Sequence, residues 1–563
     1  MKKMIPVFIA IVLIIVVALV GFGAKIADKY SYSKERADLT EYFGITDSDD
    51  IAVILQDERI EEYAKLWDGV CYFDLATVHK YFNDRFYEDK KEGLLLYTLP
   101  DAIIRTEIGT QTVMCGDEAQ DREYVIARYE GETLYIAADF VKEYTNFSYD
   151  LYTDPNHMQV YTEWNERQVA TISKDTKVRY RGGIKSDILT DVSKGDKVVI
   201  LEEMETWTKV KTQDGFIGYV ENKRLGTPMT EEPLPVTDYQ EPVYESNTRD
   251  YKISLVWHGI YSAAGNDTLG QVTENMKGVN VISPTWFSLS DNEGNFTSYA
   301  SREYVDKAHA MGLEVWALIG NLENPDVNMY DVLAGTTNRT HLIEGLVNVA
   351  LEYDLDGINI DFENIGLDAG EPFVEFIREL SIPCREYGIV LSIDNYVPMA
   401  HTDYYDREEQ GVVADYVVIM GYDEHYSGST EAGSVASIDF VEQGIANTVA
   451  EVPADKVINA VPFYTRVWET KGTTVDSQAL GMDMAQQYLE DHGIATRWDE
   501  TTCQNYGEYQ SGDSYYQIWL EDAESIKVKM NVMEEYGIAG IGAWRLGFEN
   551  ASIWDVFEEY LNR

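Results

Sequence analysis

Asn359, Asp361 and Glu363 stand at every second position of the stretch LDGINIDFENIG, Leu355–Gly366, with Ile358, Ile360 and Phe362 between them. Successive side chains of a strand point to opposite faces. This spacing therefore puts an amide and two carboxyls on one face and three apolar groups on the other. A carboxyl that is partly buried beside a second carboxyl holds its proton to higher pH than a free one. Such a group can protonate a departing oxygen near neutrality, which is general acid catalysis. The pattern alone leaves open a blander role, a carboxylate that only hydrogen-bonds at the rim of a fold.

Acids on an inward face need a scaffold to hold them there. Eight β-type runs begin at Ile253, Val279, Leu313, Gly357, Ile389, Tyr416, Val457 and Ile538. Each is continuously apolar over part of its length, as in parallel strands covered on both faces. Amphipathic stretches such as SREYVDKAHAMG and EPFVEFIRELSIPCREYG lie between them. Eight alternating units predict a closed (β/α)8 TIM barrel over residues 248–563, with its site at the C-terminal ends of the strands. Polar residues fall at those ends. Glu363 ends the fourth run, Asn395 and Tyr396 the fifth, Tyr422 and Asp423 the sixth, Trp544 and Arg545 the eighth. An aromatic, turn-rich stretch at about 466–535 predicts a small inserted α+β subdomain.

DGINIDFE, Asp356–Glu363, resembles the D-G-x-D-x-D-x-E signature of glycoside hydrolase family 18. MGYD (Met420–Asp423) is similar to that family's M-x-Y-D motif, PFYTR (Pro462–Arg466) to its P-x-Y-x-R element, and Trp544 to its eighth-strand tryptophan. SPTWFSL and IWLEDAESIKVKM further resemble the branch that acts on spore-cortex peptidoglycan. The resemblance implies cleavage of β-1,4 bonds in N-acetylglucosamine glycans with retained configuration, the substrate's own 2-acetamido group acting as nucleophile. Glu363 would be acid and then base. Asp361 and Tyr422, helped by Asp423, would hold the acetamido group. Asn359, Met420, Trp544, Asn395, Tyr464, Arg466 and Trp257 would bind substrate. No metal and no cofactor is implied.

One departure from the family's pattern is Asn359, where Asp is usual. An Asn there donates a hydrogen bond to Asp361 but does not titrate, so a simpler acid limb is expected than in relatives with three acids. The readings left open are a peptidoglycan N-acetylglucosaminidase, a chitinase or chitooligosaccharide hydrolase, and a wall-glycan-binding protein without turnover. Trp257 and Trp286 could line sugar subsites or be core, and Trp316 leans to core. Trp498, Trp519, Tyr515 and Tyr516 could wall a cleft or fill the subdomain.

The rest of the chain reads as delivery. Residues 1–29 hold an uncharged run, Ile5–Ala24, behind Lys2 and Lys3. Its length predicts an uncleaved membrane span of about 20 residues, with a cleaved secretory signal as the alternative. Residues 30–165 read as an α+β module resembling the amine oxidase N-terminal domain. Residues 166–226 resemble a bacterial Src-homology-3-like domain, with Trp207 and DGFIGYV as its marks, and imply contact with the cell wall. Residues 227–247 are a stiff proline- and acid-rich linker. The net charge of −53 excludes nucleic acid as a partner. Four cysteines without a C-x-x-C pair argue against zinc. The expected place is the bacterial cell surface, with the catalytic domain outside.

Overall fold

The computed structural model describes residues 5–235, 237 and 239–562. The chain divides into two compact units. One runs to Phe86 and includes Thr106–Val113 and Ala119–Glu241; the other holds Tyr87–Arg105, Met114–Glu118 and the chain from Pro242 onward.

The first unit begins with a helix, Ile5–Tyr30. This is where a membrane span is expected. The side chains at 6, 7, 21, 23, 24 and 26–28 lie outside the described residues, and the longest unbroken described run is Phe8–Val20. Among the described residues no helix is long and apolar enough to cross a membrane. The span thus rests on the sequence run alone.

Two sheets follow. In the first, Asp50–Leu55 pairs antiparallel with Glu58–Trp67 and parallel with His157–Tyr161. The second is an antiparallel sheet of seven strands between Arg167 and Glu231. Although expected as separate domains, they share one core. Phe43 and Ile54 pack with Val178, Leu189, Val210 and Val220, and the Phe43 ring stacks on His157 at 4.4 Å. The Lys211 side chain, fully buried, reaches Asp57 at 2.9 Å. Trp207 is half-buried. All four cysteines are free thiols.

The second unit is the barrel. Its strands are β1 Ile253–His258, β2 Val281–Pro284, β3 Glu314–Gly320, β4 Gly357–Asp361, β5 Val390–Tyr396, β6 Tyr416–Met420, β7 Val457–Pro462 and β8 Gly540–Trp544. Each pairs parallel with the next, β8 pairs with β1, and the sheet closes. Alternation sorts the side chains. Leu255, Trp257, Trp316, Leu318, Tyr416 and Val418 fill the inside, while Ile358, Ile360, Leu391 and Ile393 face the helices. Trp316 stacks on Tyr416 at 5.3 Å. Gly357 makes the room, since a Cβ there would lie 2.7 Å from the indole.

The insertion after β7 is a five-stranded antiparallel sheet over Tyr464–Leu520 with one helix, Met482–His492. It ends earlier than the expected 535. Ala523–Tyr536 is a barrel helix, begun by the Asp522 carboxylate, which accepts from the Glu524 and Ser525 N–H groups.

Residues Tyr87–Arg105 lie far from the barrel in sequence yet belong to its unit. The helix Thr336–Tyr353 starts after Gly335, which offers no side-chain cap, so its first N–H groups need outside acceptors. Asp89 accepts from the Thr336 N–H and hydroxyl, both at 2.7 Å, and Glu92 accepts from the Thr337 N–H at 2.6 Å. Two carboxylates at a helix N-terminus also oppose its dipole. Nearby, the Tyr87 hydroxyl donates to the Ala334 carbonyl and the Thr98 hydroxyl to Glu375. Arg339 and Glu379 form a fully buried bidentate pair below.

Asp89 is buried and also accepts from the Lys91 and Glu92 N–H groups. Asp89→Ala is expected to cost about 2–3 kcal/mol, the range for hydrogen bonds to a charged cap. A lowered urea midpoint with unchanged slope, followed through the barrel tryptophans, is the measurement that checks it.

Candidate active site

The strand ends converge on one cleft of about 820 Å³, within the size range of ligand pockets. Asp361, Glu363, Met420, Tyr422, Asp423, Tyr464, Arg466, Trp544 and Trp257 all line it. The expected site residues therefore come together, with two exceptions described below.

Glu363 lies two residues beyond the last paired residue of β4, and its place is fixed through its backbone. Its N–H donates to Asn321 Oδ1 at 2.8 Å, and its carbonyl accepts from Asn321 Nδ2 at 2.8 Å. Burial raises the Glu363 carboxyl above the usual range. A hydrogen bond from Tyr396 opposes this, while the charges of Asp423 and Glu323 add to it. Asp361 is pushed well above the carboxylate range, first by burial, then by the charges of Asp394, Glu363 and Glu323. Its Oδ1 is buried and has no hydrogen-bond partner among the described residues. Asp356, the first acid of the motif, works differently. It accepts from the Val315 N–H and faces His309, so it anchors the start of the strand.

Tyr422 keeps its proton, because burial raises its hydroxyl and the neighbouring Tyr464, Asp361, Asp394 and Glu363 raise it further. Gly421 precedes it by necessity: a Cβ there would meet Asn459 Oδ1 at 2.7 Å and the Ala460 carbonyl at 2.8 Å. Asp423 takes the left-handed conformation, φ 59°, which Asp tolerates better than most residues. Its Oδ1 accepts from the Tyr464 hydroxyl at 2.6 Å. Arg466 Nη1 donates to Ser477 at 3.0 Å. Trp257 is buried, its ring 5.9 Å from that of Trp544, so it forms the floor rather than an exposed platform. His401 also borders the cleft.

Asn395 is the first exception. It points to the helices, buried against Gln410, to which it donates at 2.7 Å. The inward residues of β5 are its neighbours Asp394 and Tyr396, both in the cleft. Asn359 is the second. It is fully buried beneath the cleft, and its amide donates to residues other than Asp361. Nδ2 donates to Asp394 at 2.8 Å and to Ser392 at 3.1 Å. Oδ1 accepts from Trp257 Nε1 at 2.9 Å and Ser283 at 3.2 Å. Asp394 thus supplies a third inward carboxyl, and the expected two-acid site is corrected on that account. Period two, counted from the outward Ile393, would have found it. Trp286 and Trp316 are core. Trp498, Trp519, Tyr515 and Tyr516 do not line the cleft; Tyr516 stacks on Tyr509 and Trp519 packs on Tyr506 within the subdomain.

Chemically, the cleft offers a proton donor, a buried acid below it and an uncharged phenol opposite. A family model described as glycosyl hydrolases family 18 matches residues 239–549, and one described as bacterial SH3 domain matches 174–226. A putative sporulation-specific glycosylase of Bacillus subtilis, YdhD, is 31% identical over 39% of this chain and 53% of its own. The cortical fragment-lytic enzyme of B. subtilis is 26% identical over 44% of this chain and 59% of its own. The match thus spans between about half and three fifths of these two relatives. The Bacillus cereus spore cortex-lytic enzyme SleL has a similar fold, with TM-score 0.50 and 21% identity over 58% of this chain and 78% of that one.

Tyr396→Phe removes the hydrogen bond that lowers the Glu363 carboxyl. A proton donor works below its pKa, so the alkaline limb of turnover should move to higher pH. One lost hydrogen bond to a charged group makes the shift about one unit. A pH–rate series on the variant and the parent checks the direction.

Proposed function

The chain belongs to glycosyl hydrolases family 18, and on that premise we propose that it is a retaining glycosidase that cleaves N-acetylglucosamine bonds of peptidoglycan. The observation that carries the reading is the placement of Glu363, a carboxyl raised by burial, at the mouth of a closed barrel beside Asp361 and Tyr422. Glu363 protonates the departing glycosidic oxygen. The substrate's acetamido oxygen closes on C1, as in the substrate-assisted exception to the two-carboxylate scheme. The Tyr422 hydroxyl donates to that acetamido oxygen. Asp361 accepts from the acetamido N–H and balances the positive charge that grows on the ring. Glu363, now ionised, takes a proton from water as it opens the intermediate. Trp544 and Trp257 form an apolar floor for the sugar ring. Tyr464 holds Asp423 at the rim.

Peptidoglycan is favoured over chitin by the company the barrel keeps. The chain carries a bacterial SH3-type domain, whose class contacts cell walls, and an uncharged run at Ile5–Ala24 that would tether it at the bacterial surface. Relatives with sporulation-glycosylase and cortical fragment-lytic names point the same way.

The test is digestion of purified peptidoglycan and of chitooligosaccharides by the full chain and by its Glu363→Gln variant, with products reduced by borohydride and weighed. Reduced N-acetylglucosamine ends from peptidoglycan are expected. The variant should lose about 10²–10⁴-fold in kcat, the worth of a general acid, with KM little changed. Cleavage of chitooligosaccharides alone would move the substrate to chitin. Equal behaviour of the two proteins would overturn the enzyme reading.

A further inference from the structure

Asp361 and Asp394 are side by side. The register of β4 and β5 pairs Asn359 with Ser392 and Ile360 with Ile393, so the next step along both strands brings Asp361 opposite Asp394. Parallel neighbours are about 4.8 Å apart. Both side chains point inward, and both line the cleft. Asn359 prepares Asp394 for a particular role. The Trp257 indole N–H can only donate, so it fixes the Asn359 oxygen toward itself and the Asn359 NH2 toward Asp394. An Asp at 359 would set an oxygen against an oxygen there. Asn at 359 and a carboxyl at 394 therefore belong together.

We propose that Asp394 is the proton partner of Asp361: the two carboxyls share a proton, which stays with Asp394 when Asp361 turns its charge to the substrate's amide. Asp394 is in this sense a positioning residue, acting through Asp361 rather than on the sugar. The inference rests on the role given to Asp361 above.

The surroundings fit a shared proton. β4 contributes Asn359, Asp361 and, beyond its end, Glu363. β5 adds Tyr396, the end of β6 Tyr422 and Asp423, the segment after β3 Glu323, and the β7 side Tyr464 and Arg466. Among the described residues no cation forms an ion pair with Asp361, Asp394 or Glu363, and Arg466 donates to Ser477. Burial pushes Asp394 up to about 8 against the pull of the Asn359 amide, with the Glu363 charge adding to it. Two acids so placed lose their protons in steps that belong to the pair.

The experiment compares the full chain with Asp394→Asn and with the double variant Asn359→Asp/Asp394→Asn, which moves the carboxyl one strand across. Two quantities are read. One is kcat and KM against pH on whichever glycan the parent cleaves. The other is an infrared titration of protonated carboxyls without substrate. Asp394→Asn should lower kcat at least about tenfold with KM within about threefold, and should lose one ionisation from the kcat profile. It should also hold one protonated carboxyl fewer than the parent near neutral pH. The double variant should recover the ionisation and the carboxyl signal. A parent-like pH profile and carboxyl signal in Asp394→Asn would overturn the proposal, as would a double variant that recovers neither. If Asp394→Asn fails to fold, the double variant against the parent decides. If the parent cleaves no glycan, the functional reading falls, and the infrared titration still decides the pairing.

Discussion

The carboxyls of Asp361, Glu363 and Asp394 stand together at the mouth of the barrel, and among the described residues no cation pairs with any of them. A charge buried without a partner is costly, and an acid in that position keeps its proton instead. Much of the site follows from this constraint. Glu363 can give a proton because burial withholds ionisation from it. The acids beside it can exist there because they need not all be charged at once. The barrel has to be closed for this to hold. Eight strands leave an interior filled by side chains, and Trp257, Trp316 and Tyr416 fill it from below.

The same chain treats acids in the opposite way on the barrel's outer layer. Glu379 is buried against Arg339 in a two-pronged pair, and Glu375 and Glu409 flank Arg378. There the carboxylates are structural and arginine is supplied. Asp89 is a third case, buried and held by N–H groups and a hydroxyl. The chemistry available to a carboxyl here is set by what stands next to it, not by its being Asp or Glu.

Legibility in the sequence followed the range of the forces involved. Alternation along Gly357–Glu363 is local, so the inward acids could be read directly, and eight apolar runs with helices between them fixed the barrel. The parity of β5 was equally local but was misjudged by one residue, which put Asn395 in the cleft in place of Asp394. The partner of Asn359 could not be read, because it depends on register between strands more than thirty residues apart. The capping signal of Asp522 and Ser525 marks where the insertion ends and a barrel helix begins. Nothing local in Tyr87–Arg105 says that its acids complete a helix at Thr336.

That last contact has a consequence for the order in which the protein is made. Asp89 and the helix it caps are 247 residues apart. At roughly 5–20 residues per second, a ribosome needs about 10–50 s to travel from one to the other. For that time the carboxylates of Asp89 and Glu92 stand without the helix N–H groups they cap. Docking of this segment must therefore wait until the helix at Thr336 has been made, and the barrel then recruits a piece that left the ribosome long before it.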